Sequence, residues 1–461
     1  MIELRNIHTI KSGKKIFQDF NWKIDHNEHW VVTGSNGSGK TALLEILSGR
    51  QHVQSGSIDY DFITGATWEE QFNEKRKLIQ YIPAHSIQAL VPMTGDIYYQ
   101  QRYYSIGDEI SRVTVRDLLK GDVHHFQSID LPSTFDLEPL LDREIKRLSN
   151  GQLKKVLILQ RLLQHLPKLL VLDYPFEGLD RQSRRDFCDF IDFIATTYSI
   201  QVVIAGHGDE LPKCITHRLT LDNLRITNEE RVNHVGLSER LPVQQQQRST
   251  NKDVVIDIRN LRIQYDDTII LKDFNWTVNR GDRWALVGAN GSGKTTLFSI
   301  IFADHPLAYS QQVYLFGKRR GTGESIWDIK NRINYLGPEL LSYLDTQTAL
   351  QSAREYILAG KQNRDTSKLE MLIGFFEAMT FIDQPLRHLS SGQLQLTLLM
   401  KCFMKPKELL LLDEPFQFLD PRARDRVADY LQQYLSDEIT LILITHYDDD
   451  LANWTEKTMR V

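Results

Sequence analysis

The feature that most constrains this chain is a phosphate-loop pattern, G-x-x-x-x-G-K-[ST], which occurs twice. The first copy runs from Gly34 to Thr41 and the second from Gly288 to Thr295. Each copy follows a short apolar run and precedes an apolar helical pattern, a context that distinguishes a phosphate site from an accidental glycine-rich turn. The glycines let backbone N–H groups converge on an anion, and the following helix adds the positive end of its dipole. The sequence therefore predicts two phosphate sites.

All residues of both loops are predicted to contact a nucleotide. Lys40 and Lys294 bring a positive charge to the β and γ phosphates, and Thr41 and Thr295 offer a hydroxyl to Mg²⁺. ATP and Mg²⁺ are therefore the predicted cofactors. The predicted nucleotide-binding residues of the loops are Gly34, Ser35, Asn36, Gly37, Ser38, Gly39, Lys40 and Thr41, and Gly288, Ala289, Asn290, Gly291, Ser292, Gly293, Lys294, Thr295 and Thr296.

The repeat extends beyond the loops and predicts two domains. Trp22 recurs as Trp276 and Trp30 as Trp284, at the same spacing that separates the two loops. We predict that these tryptophans lie in the cores of the first strands. A chain of 461 residues is long enough for two domains that each bury a substantial core. The predicted boundaries are a first domain at 1–227, a polar, glutamine-rich linker at 228–253 and a second domain at 254–461.

Composition favours a cytoplasmic protein. Hydrophobic residues make up 41% and charged residues 25%, which is ordinary for globular domains. No apolar run approaches the ~18 residues that a membrane-spanning helix needs, and the N-terminus shows no signal peptide. The three cysteines are scattered without C-x-x-C spacing, so neither disulfides nor a structural metal is expected. The net charge of −5 gives no general case for a nucleic-acid partner.

The two halves differ beside an aspartate that ends an apolar run. Asp173 is followed by Tyr174, whereas Asp413 is followed by Glu414. A phenol is neutral at pH 7 and is a poor base there, whereas a carboxylate can accept a proton from water. The sequence therefore predicts two unequal sites.

Three further motifs occur in the same order in each half. They are LSNGQ at 148–152 and LSSGQ at 389–393, Leu-Asp pairs at 179–180 and 419–420, and the histidines His207 and His446 at the ends of apolar strands. This ordered set resembles the signature motif, the D-loop and the switch histidine of ATP-binding-cassette (ABC) ATPases. The resemblance covers nearly the whole chain.

The resemblance implies an α/β fold with two tandem ABC nucleotide-binding domains. Each would have a parallel-sheet P-loop core, a small antiparallel β region and an inserted helical subdomain. Alternating strands and helices independently favour a parallel sheet covered on both faces. In the family, two cassettes pack head to tail, and each ATP lies between one phosphate loop and the opposite signature. Fusion in one chain would make that pairing intramolecular, which predicts a monomer.

The resemblance assigns hydrolysis to a composite site two. Glu414 would polarise the attacking water, Lys294 and His446 would contact the γ phosphate, and Asp413 and Thr295 would hold Mg²⁺. Such a reaction needs positioning and charge stabilisation more than covalent chemistry. The first half would complete this site with the signature residues Ser149, Gly151 and Gln152.

Site one would have the same parts except for the carboxylate. Lys40 and His207 would contact phosphate, and Thr41 and Asp173 would hold Mg²⁺, but Tyr174 would make hydrolysis slow or absent. The second half would complete this site with Ser390, Gly392 and Gln393.

Two further positions bear on the nucleotide and on coupling to a partner. Tyr265 lies where family members often stack an aromatic ring on adenine, so we predict an adenine contact, with an ordinary strand-end tyrosine as the alternative.

The family's Q-loop glutamine is replaced in both halves, near Ala84 and near Pro338. In transporters that loop couples the nucleotide to membrane subunits, so its alteration argues against transporter coupling.

Residues 315–330 resemble the corresponding segment of ModF-type double-cassette proteins, which are named for molybdate transport. The basic run Lys318, Arg319 and Arg320 is interpreted as a solvated turn, with an anion or nucleic-acid contact as the alternative.

Three functions stay open, all consistent with ATP binding. The first is a cytoplasmic ATPase that acts on an unknown protein partner by ATP-driven closure, or that assists or regulates molybdate uptake. The second is the energising subunit of an importer with separate membrane subunits, held at the inner face of the membrane. The third is a factor that acts on the ribosome or on nucleic acid.

Overall fold

The computed structural model describes residues 1–11, 14–84, 114–119, 138–145, 148, 150–179, 181–207, 211–232, 253–265, 268–289, 291–337, 346–359, 366–445 and 455–461. These residues fall into two compact units, one formed by residues up to 232 and the other by residues from 253.

The first unit alternates strands and helices after an antiparallel start. Its strands are β1 (Ile2–Lys11), β2 (Lys14–Ile24), β3 (Trp30–Gly34), β4 (Ser55–Tyr60), β5 (Ile79–Ile82), β6 (Leu169–Asp173), β7 (Gln201–Ala205), β8 (His217–Asp222) and β9 (Arg225–Arg231). Its helices are α1 (Lys40–Leu47), α2 (Trp68–Leu78), α3 (Val115–Leu118), α4 (Asn150–Gln164) and α5 (Arg181–Thr197), with a 3₁₀ turn at Glu138–Leu140.

Two sheets organise this unit. The larger has the order β5-β6-β7-β3-β8-β9, with parallel pairing from β5 to β8 and an antiparallel edge strand β9. The smaller is the antiparallel sheet β2-β1-β4.

The second unit repeats this plan. Its strands are β10 (Val254–Tyr265), β11 (Thr268–Asn279), β12 (Arg283–Val287), β13 (Gln312–Leu315), β14 (Lys318–Arg319), β15 (Ile333–Leu336), β16 (Leu409–Asp413), β17 (Thr440–Ile444) and β18 (Lys457–Arg460). Its helices are α6 (Lys294–Ile301), α7 (Leu307–Ser310), α8 (Ile326–Lys330), α9 (Thr346–Leu350), α10 (Ala353–Leu358), α11 (Thr366–Phe375), α12 (Ser391–Met404) and α13 (Pro421–Gln433), with 3₁₀ turns at Ala378–Thr380 and Leu386–His388.

The parallel sheet of the second unit has the order β15-β16-β17-β12-β18, which matches the strands β5-β6-β7-β3-β8 of the first unit. An antiparallel sheet β11-β10-β13-β14 stands beside it, and the helices α9 to α11 are inserted between β15 and α12. The predicted α/β fold with two tandem cassettes is confirmed.

Alternating side chains of the central strands bury both faces of each parallel sheet. In β6, Leu170 and Leu172 join one apolar cluster, whereas Leu169 and Val171 join the cluster on the other face. The strand β16 divides its leucines in the same way. A run of apolar residues without polar alternation is what a strand covered on both faces requires. These strands bring an aspartate to the carboxyl edge of each sheet.

The predicted core positions of Trp22, Trp30 and Trp276 are confirmed, whereas Trp284 is partly buried and packs against the core of the second unit. Trp22 and Trp30 are buried, and their rings meet edge to face at 5.4 Å. Trp276 and Trp284 form the same edge-to-face pair at 5.6 Å in the second unit. Edge-to-face contact is favourable because the positive ring edge faces the negative ring face. These aromatic rings therefore stabilise the core of each unit.

The structure differs from the sequence interpretation at the basic run. Lys318 and Arg319 are exposed, but the Arg320 side chain is fully buried. Its Nη1 donates to the Glu324 carboxylate at 2.7 Å, and the Tyr309 ring lies 5.0 Å from its guanidinium. The hairpin of β13 and the two-residue strand β14 places the Arg320 side chain in the interior of the unit. There the Glu324 carboxylate offsets the cost of burying the guanidinium charge. The interpretation of the whole run as solvated is therefore wrong for Arg320.

Strand β9 extends past the predicted end of the first domain at residue 227. The strand β9 pairs with β8 as far as Arg231, so residues 228–231 belong to the sheet although the predicted linker begins at 228.

Among the described residues, no helix is long and apolar enough to cross a bilayer.

Candidate functional site

The first phosphate loop joins β3 to α1. Lys40 opens the helix, is only 3% exposed, and donates from Nζ to the carbonyl oxygens of Gly34 and Ser35, both at 2.7 Å. Gly39 precedes the helix with a φ of 98°, in the left-handed region that favours glycine. The loop therefore curls around the lysine amine before the helix starts.

Close backbone approach explains the first glycine of each loop. A Cβ on Gly34 would lie 2.0 Å from the carbonyl oxygen of Leu221 in the neighbouring strand. A Cβ on Gly288 would lie 2.2 Å from the carbonyl oxygen of Val461. Because both contacts are with backbone, no side chain could move aside to admit the extra carbon.

A buried carboxylate faces the start of α1. The hydroxyl of Thr41 donates to the two carboxylate oxygens of Asp173 at 3.2 and 3.0 Å, and the Tyr81 hydroxyl donates to Oδ2 at 3.3 Å. Burial raises the pKa of Asp173 to about 6, while the hydrogen bonds from Thr41 and Tyr81 oppose the shift. A hydroxyl and a carboxylate at this separation are oxygen ligands of the kind that Mg²⁺ takes.

The second loop reproduces this arrangement. Lys294 donates from Nζ to the carbonyl oxygens of Gly288 and Ala289, both at 2.8 Å. The Thr295 hydroxyl donates to the Asp413 carboxylate at 3.0 Å. In each unit, the structure thus brings the loop lysine to the loop carbonyl oxygens and the threonine hydroxyl to the aspartate carboxylate.

The turns that follow the two aspartates have the same backbone. Tyr174 has a φ of 46° and Glu414 a φ of 51°, both in the left-handed region. The N–H of Tyr174 donates to Ala205 O, and the N–H of Glu414 donates to Ile444 O, each at 2.9 Å. Non-glycine residues in this region are strained and cluster at functional sites. The tyrosine and the glutamate therefore occupy equivalent positions on equivalent turns.

The ring of Tyr174 lies beside two groups assigned to the first site. Its centroid is 5.8 Å from Nζ of Lys40 and 5.2 Å from the imidazole of His207. Tyr174 is itself buried. An aromatic ring thus lies beside the loop lysine in the first unit, and its residue occupies the turn position that Glu414 occupies in the second unit.

Two buried residues that none of the sequence motifs includes hold these turns. Lys154 on α4 donates from Nζ to the carbonyl oxygens of Pro175 at 2.9 Å and Glu177 at 2.8 Å. Gln395 on α12 has the same role in the second unit and donates to the carbonyl oxygens of Glu414 and Pro415. Burial lowers the pKa of Lys154 to about 8, and the charge of Glu177 opposes that shift. An alignment of the two halves on their signature motifs would have shown this lysine opposite a glutamine.

We expect Lys154→Met to destabilise the first unit by about 1–3 kcal/mol, because buried carbonyl oxygens would lose their donor. Lys154→Gln is the matched control, since Gln395 shows that an amide can serve the equivalent turn. Urea denaturation followed by circular dichroism checks the difference. An unchanged unfolding midpoint for Lys154→Met would contradict this role.

The signature of the second unit begins a helix. Ser390 precedes α12, and its hydroxyl accepts a hydrogen bond from the N–H of Gln393 at 3.3 Å. The Gln393 side chain accepts in return from the N–H of Ser390 at 3.0 Å, which completes a capping box. Gly392 is buried in the first turn. Gly151 and Gln152 lie in the first turn of α4 in the corresponding signature.

Several predicted site residues lie outside the described part of the chain. They are Ser149, Asn290, His446, the Q-loop position Pro338, the D-loop Asp180 and most of the predicted linker. The backbone of Tyr265 ends β10, but its side chain is not among those described, so its contact with adenine stays a prediction.

Comparison with known proteins shows which family this chain resembles. The family model for ABC transporters matches residues 17–177 and 271–417. An uncharacterized ABC transporter ATP-binding protein of Schizosaccharomyces pombe is 30% identical and aligns with 98% of this chain and 95% of its own length. The ABC transporter ATP-binding protein ModF of Escherichia coli is 28% identical and aligns with 93% of this chain and 90% of its own length.

Solved structures agree on the fold. A chain from a model of ribosome-bound archaeal Pelota and ABCE1 matches with a TM-score of 0.60 at 18% identity, over 98% of this chain and 75% of that chain. The RNase-L inhibitor matches with a TM-score of 0.55 at 17% identity, over 99% of this chain and 87% of that chain. Because the family model covers more than half of the chain and these relatives span nearly all of it, the protein belongs to the ABC transporter family, as a tandem ATP-binding protein similar to ModF.

Proposed function

We propose that this protein is a tandem ABC ATPase that hydrolyses ATP mainly at the composite site containing Glu414 and retains ATP at the other. The observation that carries the proposal is the pair of matching turns, where one backbone geometry presents Glu414 in one unit and Tyr174 in the other. Family membership supports ATP hydrolysis in general. The turns support an unequal division of that activity between the two cassettes.

In the proposed active site, Glu414 accepts the proton of the attacking water. Lys294 neutralises negative charge that develops on the phosphates. Thr295 and Asp413 would hold Mg²⁺, whose positive charge would stabilise the same developing negative charge. The second unit's His446 and the first unit's signature, Ser149, Gly151 and Gln152, would complete this site. This part of the proposal rests on the family resemblance.

In the proposed retaining site, Lys40, Thr41, Asp173 and His207 keep the groups that bind nucleotide and metal. Tyr174 lacks a group that accepts a proton from water near neutral pH. Its ring also occupies the space beside the Lys40 amine. The second unit's Ser390, Gly392 and Gln393 would complete the site, with Ser390 able to donate its hydroxyl hydrogen while its oxygen caps α12.

The proposed work of this cycle is ATP-driven closure of the two cassettes on a protein partner. The similarity to ModF supports a role beside an uptake system, and we retain molybdate uptake or its regulation as the specific form of that proposal. The replaced Q-loop residues weigh against an obligate importer subunit. The structural likeness to ABCE1 supports the fold and does not favour the ribosome as partner.

The partner is tested by affinity purification of Glu414→Gln with ATP, with the Lys294→Ala variant as the matched control that should not close. We expect a protein partner that is recovered with Glu414→Gln and lost with Lys294→Ala. Stoichiometric recovery of a multi-span membrane protein in detergent would instead support the importer function. Recovery of ribosomal RNA that survives moderate salt would support the ribosome factor, because nonspecific phosphate contacts weaken steeply as salt rises.

We expect the chain to stay monomeric when it closes on ATP, because both complementary half-sites belong to one chain. Multi-angle light scattering of Glu414→Gln with and without ATP measures the mass directly. A mass that doubles on addition of ATP would show that the sites form between chains.

A further inference from the structure

A buried carboxylate stands beside the histidine of the first site. Oε1 of Glu177 lies 3.9 Å from Nε2 of His207, within the range of an ion pair, and the two side chains are 8% and 4% exposed. The imidazole also contacts the ring of Tyr174. Glu177 is thus linked to the nucleotide site through a histidine, although no step proposed above uses it.

The turn that carries Glu177 is built the same way in both units. The N–H of Glu177 donates to Tyr174 O at 3.3 Å, and the N–H of Gln417 donates to Glu414 O at 3.2 Å. Gln417 therefore occupies the position of Glu177 and has nearly the same shape. An amide would fill this space without the cost of burying a charge. Packing alone does not account for a carboxylate at position 177.

The neighbouring charges show how the first unit supports that carboxylate. Lys154 donates to the Glu177 carbonyl oxygen, and its ammonium interacts electrostatically with the Glu177 side chain. The second unit has neutral Gln395 and Gln417 at the corresponding places. Compared with the second unit, the first unit thus lacks a carboxylate at position 174 and has a lysine and a carboxylate around the same turn.

We propose that Glu177 is a positioning residue of the first nucleotide site, where its carboxylate holds the His207 imidazole toward the terminal phosphate of a retained ATP. A histidine held through one ring nitrogen presents the other nitrogen at a defined place. This inference rests on the proposed function, in which the first cassette binds ATP without rapid turnover.

The test measures discrimination between ATP and ADP, because only ATP has the terminal phosphate. The full chain carries Lys294→Ala to weaken the second site, and equilibrium dialysis with Mg²⁺ gives the affinity of the first site for each nucleotide. We expect Glu177→Gln to weaken ATP binding about tenfold, as for loss of one charge-assisted contact, and to leave ADP binding unchanged. Glu177→Asp should restore part of the discrimination.

Two further variants separate positioning from a structural role. His207→Ala should lower discrimination to the same level, and adding Glu177→Gln to it should cause no further loss, because Glu177 acts through His207. Gln417→Ala, on the matching turn of the second unit, should leave the first site unchanged. Gln417 itself shows that an amide is compatible with this turn, so Glu177→Gln is expected to fold.

The outcomes distinguish the positioning role of Glu177 from ATP retention at the first site. Unchanged discrimination in Glu177→Gln, tighter ATP binding, or equal weakening of ATP and ADP would overturn the positioning role while leaving ATP retention intact. Failure of the Lys294→Ala chain to bind ATP, with Lys40→Ala making no difference, would overturn the retaining site and the role of Glu177 together.

Discussion

Glu414→Gln is expected to lower steady-state ATP turnover by about a hundredfold or more, which is the usual contribution of a positioned general base. The amide keeps the shape of the side chain but cannot accept a proton from water. Because the N–H of Glu414 and its left-handed backbone belong to a turn that Tyr174 also adopts, the substitution should leave the fold intact. A coupled phosphate-release assay measures turnover, and thermal unfolding checks the fold.

Tyr174→Phe is the matched variant on the other turn. It removes only the hydroxyl, and the ring that contacts His207 remains. We expect turnover to change little, since the first site contributes little hydrolysis. Near-wild-type turnover in Glu414→Gln, or a large loss in Tyr174→Phe, would contradict the proposed division between the sites.

Lys294→Ala is expected to weaken ATP binding at the second cassette roughly 10–100-fold, which corresponds to the loss of hydrogen bonds from a charged donor. It should lower turnover as well, since the same ammonium also meets charge that develops in the transition state. Nζ of Lys294 is held by two carbonyl oxygens at 2.8 Å, so the charge is already in position before nucleotide arrives. Titration with a fluorescent ATP analogue and the phosphate-release assay measure the two effects.

Lys40→Ala tests the same contact in the first cassette. Its Nζ is held in the same way, at 2.7 Å from two loop carbonyl oxygens. Here we expect loss of ATP that stays bound and unhydrolysed after rapid gel filtration, with a smaller effect on turnover. Equal losses of turnover in Lys40→Ala and Lys294→Ala would show that both cassettes hydrolyse ATP at comparable rates.

Local patterns were sufficient for the parts of this protein that depend on neighbouring residues. The apolar runs at 169–172 and 409–412 predict strands buried on both faces, and the structure has them in β6 and β16. The glycines and lysine of a phosphate loop act through backbone geometry within a few residues, so their spacing alone indicates the fold of the loop. The contrast between Tyr174 and Glu414 is also readable without coordinates.

The sequence by itself thus determined the fold class, the duplication and the unequal pair of residues after the aspartates, because each depends on short-range pattern or residue chemistry. Only the tertiary structure decided which charged side chains are buried and what they contact. Arg320 reads as part of a solvated basic run until the hairpin of β14 sets it against Glu324 and the ring of Tyr309. The sequence motifs assign no role to Lys154 and Glu177, and their burial is seen only where α4 packs against the turn after β6. Burial of a charge depends on how strands, helices and turns pack around it, and the local pattern of residues does not encode that packing even where the partners are four residues apart, as Arg320 and Glu324 are.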